Sequence, residues 1–289
     1  MKKFTLTLFT LFLAFASFAQ QAKVGSTEIT KVSRPCIIAD YGMSYDVIEG
    51  ALKKKFEELN LKSPDKTKDG YKVFKGVNIN DISTDKVDLY YRVENRKPNT
   101  TVYMLISRGY DNFMLPESDS AVYQNAIAFL DKFVKDATLF QLNLDVKNQE
   151  ESIKSAEKNL KKIIDNEDDL NKDKAKVESK ISQKIVEQNA LKTEMDNQQS
   201  ILEGLKKKTA TLDQMDALKK EVSKQEKAVE KATSNYNSSL KKQDAYKGDL
   251  DKVENKIAEN KVEIEKAKNA LEMEKTKLEE IKKKISDLN

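Results

Sequence analysis

Residues 202–222 read LEGLKKKTATLDQMDALKKEV, and the reading of this stretch decides the architecture. Before it, apolar residues recur at alternating spacings of four and three, from Leu142 and Val146 through Ile163, Leu170 and Val177 to Leu205 and Leu212. After it, a second seam runs from Leu218 and Val222 through Leu250, Ile257 and Ile264 to Ile285 and Leu288. Each is a heptad pattern, which gives a helix one narrow apolar stripe to set against another helix. Leu212 and Leu218 are six residues apart rather than seven, so the two stripes are out of phase. Either a stammer in one continuous helix or a turn lies between them.

Charge decides between the alternatives. Parallel in-register pairing of the second seam sets Lys242 against Lys247, Asp249 against Glu254, Lys256 against Lys261 and Lys277 against Lys282. Folding the chain back so that Leu205 meets Val222 instead places Glu150 by Lys275, Glu157 by Lys268 and Glu178 by Lys247. The same register places Asp173 by Lys256, Lys180 by Asp249 and Glu187 by Lys242. It also brings polar seam residues together, Glu167 with Asn260, Lys184 with Gln243 and Gln188 with Ser239, and leaves one mismatch, Ile153 against Glu274. The expectation is an antiparallel coiled-coil hairpin over 138–289 that turns near 209–216. Lys206 to Lys208 suit the end of the first helix, and Thr211 with Gln214 can form a capping box for the second. At 1.5 Å per residue each arm is on the order of 100 Å long.

Composition changes near Thr138. All four prolines, eight of the ten tyrosines and most glycines precede it. Arg34 to Ala39 alternates as a strand. Gly42-Met-Ser44 then caps a helix whose apolar face is Val47, Ile48, Ala51, Leu52, Phe56 and Leu59. Tyr71 to Ile79 reads as a strand with a bulge at Gly76. Val87, Leu89, Tyr91 and Val93 alternate with Asp88, Tyr90 and Arg92, and a turn over 95–99 leads into Val102, Met104 and Ile106. That pattern predicts a hairpin with one face inward. Ser118 or Ser120 then caps a second helix with Val122, Ala126, Phe129, Leu130 and Phe133 on its inner side.

The fold class is therefore α+β over 20–137, in the order β-α-β-β-β-α, followed by the helical hairpin. That order resembles the TATA-box-binding-protein-like fold, which occurs also in small secreted bacterial domains. The resemblance covers about 100 residues, rests on element order alone and carries over no functional residue.

Residues 1–19 read as a secretory signal peptide: Lys2 and Lys3, an apolar run from Phe4 to Phe18, then Ser17-Phe18-Ala19 before Gln20. An uncleaved signal anchor is the competing reading, but the run is short of the ~20 apolar residues that span a bilayer. The ending looks Gram-negative, so a periplasmic or secreted location is expected. Removing the two signal lysines lowers the formal charge from +4 to +2, which implies no nucleic-acid partner.

The absence of histidine removes Ser-His and Cys-His catalysis and His-ligated zinc or haem. No phosphate-binding GxxxxGK[ST] loop occurs. Asp165, Glu167, Asp168 and Asp169 lack the spacing of a calcium loop. The lone Cys36 reads as a buried thiol. No catalytic residue, metal or cofactor is expected.

The expected function is that of a non-enzymatic, exported structural or interaction protein with a protein partner in the cell envelope. The alternative is a ligand-binding α/β module with the coiled coil as spacer or dimerisation element. Two surfaces are candidates for the contact. One is the outer strand face with Tyr90, Arg92 and Tyr103, joined by the loop residues Arg108, Tyr110 and Phe113, because Tyr and Arg are favoured at interfaces. The other is the hairpin tip, Lys206 to Met215.

Overall fold

A computed structural model describes residues 22–97, 99–109 and 112–289. The expected signal peptide lies outside the described residues. The described residues form two units, one running up to Asn148 and including Glu279–Asn289, the other Gln149–Leu278.

The first unit is α+β. Its strands are β1 (Lys23–Ile29), β2 (Val32–Tyr41), β3 (Asp65–Lys66), β4 (Lys72–Ile79), β5 (Ser83–Arg96) and β6 (Asn99–Ser107), and helix α1 (Tyr45–Glu58) follows β2. All neighbours pair antiparallel in the order β1-β2-β6-β5-β4-β3. Two strands extend the expected order. β1 carries few apolar residues, and its two-residue link to β2, Thr30-Lys31, lacks the Asn-Gly signature of a tight hairpin. Both link residues nevertheless hold positive φ, 52° and 61°, as the primed turns of such hairpins require. Thr30 keeps that conformation with help from outside the hairpin: its N–H donates to Asp69 Oδ2 at 2.9 Å.

The expected bulge is present. Gly76 has φ +58°, the β4–β5 register shifts between Phe74 and Val77, and the Gly76 N–H donates to Asp88 Oδ1 at 2.7 Å. Helix α1 buries Val47, Ile48, Ala51, Leu52 and Phe56, the face its spacing predicts. Ser44 stands at its N-cap but makes no side-chain cap bond. The main core joins Ile48, Ala51, Leu52 and Phe56 of α1 to Ile37, Ala39, Leu89, Tyr91, Val102 and Met104 of the sheet and to Ala126, Phe129, Leu130, Phe133 and Ala137 of the next helix. Fully burying each such aliphatic or aromatic side chain is worth about 1.5–3 kcal/mol.

That next helix, α2 (Ser120–Lys206), is 87 residues long and runs unbroken through the change of composition near Thr138. Its first turn is preceded by Asp119 rather than capped by Ser118 or Ser120. The Asp119 carboxylate reaches backward, accepting from the Leu115 N–H at 3.0 Å and the Ser118 hydroxyl at 2.8 Å.

The sheet also differs from the expected one-sided hairpin, because its other face is buried too. Ile29, Cys36, Tyr71, Val73, Tyr90, Tyr103, Leu105 and Phe113 form a second cluster. Edge strand β1 and the turn between β3 and β4 meet over this face. Thr27 Oγ1 of β1 lies 2.6 Å from the hydroxyl of Tyr71, which immediately precedes β4. The sheet therefore curls far enough for β1 to reach the β3–β4 turn.

In the second unit, α2 ends at Lys206 and α3 (Met215–Leu288) begins after a single 3-10 turn, Leu212–Gln214. Thr211 makes no side-chain cap bond, so the capping box does not form. Side chains of the two helices bond to one another with partner numbers running in opposite directions. Gln149 donates to Glu274 Oε2 at 2.6 Å, Asn166 to Asn260 Oδ1 at 2.8 Å, Gln188 to the Ser239 carbonyl at 3.2 Å and Gln225 to Gln198 Oε1 at 2.6 Å. Glu274, the expected mismatch, is thus supplied by Gln149 and also by Lys277. The bond to Lys277, first among the causes, holds the Glu274 carboxyl below its ordinary range.

The expected cross-helix charge pairs are largely replaced by local ones. Lys268 pairs with Glu265, Lys275 with Glu272, Lys247 with Asp244 and Lys252 with Asp249, each three residues apart on one helix. Among the described residues, the ion pairs between α2 and α3 are Lys174–Glu254 at 2.8 Å and Lys206–Glu226 at 3.0 Å. A local pair orders two side chains on one rigid helix, so it wins over an exposed contact worth at most ~1 kcal/mol. Among the described residues, no helix is long and apolar enough to cross a membrane.

Candidate functional site

The curl of the sheet redefines the predicted recognition face. Tyr90, Arg92 and Tyr103 alternate to the side away from α1 and α2, as their sequence positions require, but that side is the concave interior of the curl. Tyr90 is 7 % exposed, Tyr103 3 % and Phe113 8 %. The Tyr90 and Phe113 rings pack with centroids 5.3 Å apart. The Arg92 guanidinium lies over Tyr71 at 4.5 Å and over Tyr103 at 5.1 Å, and it pairs with Glu94 at 2.8 Å. Arg34 lies over Phe113 at 5.2 Å in the same way. The Nε atoms of Arg34 and Arg92 are buried without a hydrogen-bond acceptor, and the aromatic faces are their neighbours.

These residues form a cation–aromatic stack that fills the concave face, each contact worth about 0.5–2 kcal/mol according to its desolvation. Arg108 is drawn elsewhere, into an ion pair with Asp119 at the start of α2. Tyr110 lies outside the described residues. Cys36 is wholly enclosed in this cluster, and burial pushes its thiol up to about 12, which keeps it protonated and unreactive at neutral pH.

A concavity that opens outward lies on the opposite side of the sheet, at the C-terminal half of α1. It has a volume of about 830 Å³. Phe56, Phe74 and Tyr91 form its base. The Phe74 and Tyr91 rings stack at 5.9 Å and 15°, and Phe56 meets Phe74 edge-on at 5.2 Å. One wall is the α1 surface carrying Glu49, Lys53 and Glu57, which recur every four residues and so share a helix face. The facing lip is Lys62, Ser63, Pro64 and Lys66.

Local chain geometry builds that lip. α1 ends in a left-handed Asn60 with φ 60°, and the Leu61 N–H donates to the Phe56 carbonyl at 2.8 Å, a helix-closing arrangement that turns the chain sharply. Ser63, also left-handed at φ 55°, then precedes Pro64. Inside the cleft Lys72 pairs with Glu49 and sits 5.7 Å from the centre of the Tyr91 ring. Burial lowers the Lys72 pKa. Sequence reading missed this site because its residues come from one helix, one loop and three strands, and nothing in their spacing announces that α1 stops where it does.

The turn between α2 and α3 provides a different kind of exposure. Leu212 is 94 % exposed, and Ile201 and Met215 beside the turn are about half exposed. The chain matches no protein-family model, no curated protein and no solved structure.

Proposed function

We propose that this is an exported, non-enzymatic interaction protein of a Gram-negative cell envelope, with the turn between α2 and α3 as its partner contact. In this reading the two helices of the second unit form an antiparallel coiled-coil hairpin. The cross-helix amide bonds from Gln149–Glu274 to Gln198–Gln225 support that arrangement, because polar groups placed at matching depths penalise any shifted register. The observation that carries the function is Leu212, a large apolar side chain left almost fully in water at the one place where the hairpin reverses. Burying it against a partner would recover about 1.5–3 kcal/mol. Lys207, Lys208 and Asp213 around it are exposed and supply polar contacts for the rim.

A photo-crosslinking residue placed at Leu212 in the native cell is expected to give one discrete protein adduct, absent when the same probe replaces Lys227 on the arm. Equal or no adducts at the two positions would remove the turn from consideration. The hairpin is tested separately with the pair Glu157→Cys and Lys268→Cys, which a short bismaleimide should bridge within a single chain. The second reading, a ligand-binding α/β module, is favoured by the cleft on α1.

A further inference from the structure

We propose that the α1 cleft binds a small organic anion, a carboxylate, sulfonate or phosphate head on an apolar body. This rests on the ligand-module reading and is independent of what the α2–α3 turn contacts. Size is the first reason: about 830 Å³ falls within the ~300–1,000 Å³ of small-molecule sites.

Charge is the second. Four lysines and two glutamates line the cleft. Lys72 is held by Glu49, and Lys53 reaches Glu57 only at 3.9 Å. Lys62 and Lys66 have no ion pair among the described residues. The lip therefore presents two uncompensated ammonium groups toward a wall whose own charges balance, an excess that favours an anionic ligand over a cationic or neutral one.

The base supplies the third. Phe56, Phe74 and Tyr91 line the cleft beneath its charged rim, so the part of the ligand that reaches them is apolar. The lip is also fixed in advance. Left-handed Ser63 followed by Pro64 costs conformational energy that only its surroundings repay, and Pro64 removes freedom between Lys62 and Lys66. A lip preset in this way loses little entropy on binding.

The full mature chain would be titrated with 2-naphthoate and with 8-anilinonaphthalene-1-sulfonate by calorimetry and fluorescence. Saturable one-to-one binding is expected, with affinity falling as salt is raised. Lys62→Glu combined with Lys66→Glu should weaken it by at least about tenfold, the loss of two charge-assisted contacts. Lys283→Glu with Lys284→Glu, the same charge change on α3, should leave it intact. The uncharged 2-naphthamide should bind at least about tenfold more weakly than 2-naphthoate. Both lip lysines are exposed, and unchanged circular dichroism would show that the variants fold. No saturable binding, or binding indifferent to the lip variants or to the ligand's charge, would overturn the proposal. Failure here leaves the Leu212 crosslinking result untouched, so the two readings fail separately.

Discussion

Phe140 of α2 lies across Gly50 of α1 so closely that a Cβ placed on Gly50 would stand 2.5 Å from Phe140 Cζ and 2.7 Å from Cε1. Glycine in the middle of a helix costs about 0.5–1 kcal/mol relative to alanine, and here the close approach of the ring accounts for it. Gly50→Ala is expected to destabilise the first unit by about 1–3 kcal/mol through overpacking, although alanine is the better helix former. The sign itself tests the contact. In a Phe140→Ala background the same change should be neutral or stabilising, and urea unfolding of the four proteins reads the difference.

The β1–β2 link is the reverse case, because its residues are poorly suited to their backbone. Thr30 is β-branched at φ 52°, and Lys31 follows at 61°. Replacing Thr30-Lys31 with Asn-Gly should raise stability by about 1 kcal/mol, since those residues occupy the primed turn without strain. Thermal unfolding measures it, and a lower Tm would show that the Thr30 hydroxyl, which donates to the Ile29 carbonyl at 2.7 Å, matters more than the strain.

Asn260 is almost wholly buried between α2 and α3, donating to the Ile163 carbonyl at 3.1 Å and accepting from Asn166. Asn260→Ala removes both bonds and should cost about 1 kcal/mol. Asn260→Leu is expected to be at least as stable as the native chain but less specific in register, because an apolar layer tolerates sliding that an amide layer penalises. Bismaleimide bridging from Glu157→Cys to cysteines placed one heptad either side of Lys268 should rise in the leucine variant.

Asp119 gives a pH signature. Hydrogen bonds from the Leu115 N–H and then Ser118 hold its carboxyl below the ordinary value of 3.8, with the Arg108 guanidinium adding to them. A carboxyl depressed in the folded state contributes stability above its unfolded pKa and loses it as pH falls through the folded one. The native protein should therefore lose stability below about pH 4 more steeply than Asp119→Asn does. At neutral pH the variant should be less stable by about 1–3 kcal/mol, since a buried acceptor beside Arg108 is weakened. Unfolding midpoints between pH 2.5 and 7 give both slopes.

Local periodicity was enough for α1, whose buried face Val47, Ile48, Ala51, Leu52 and Phe56 is visible in spacing alone, and for the Gly76 bulge. It was also enough to place a break near residues 209–216, because a lost heptad phase is a one-dimensional signal. It failed for β1, where the strand exists through pairing with β2 and through the Asp69 bond to Thr30 rather than through its own alternation. It also did not show that the helix opening at Ser120 and the first arm of the seam are one continuous α2. The change of composition near Thr138 records a change in what the helix packs against, while the backbone continues.

For the candidate sites, the amino-acid order by itself determined which side of the sheet Tyr90, Arg92 and Tyr103 occupy, since side chains alternate strictly along a strand. Only the tertiary structure decided that this side is an interior. Curvature brings Thr27 of edge strand β1 to Tyr71 in the β3–β4 turn, and curvature is a sum of twists over the whole sheet that no single strand encodes. The cleft of Phe56, Phe74 and Tyr91 is decided at the same level, because it exists only where the end of α1, the turn at Ser63 and strands β3 to β5 converge.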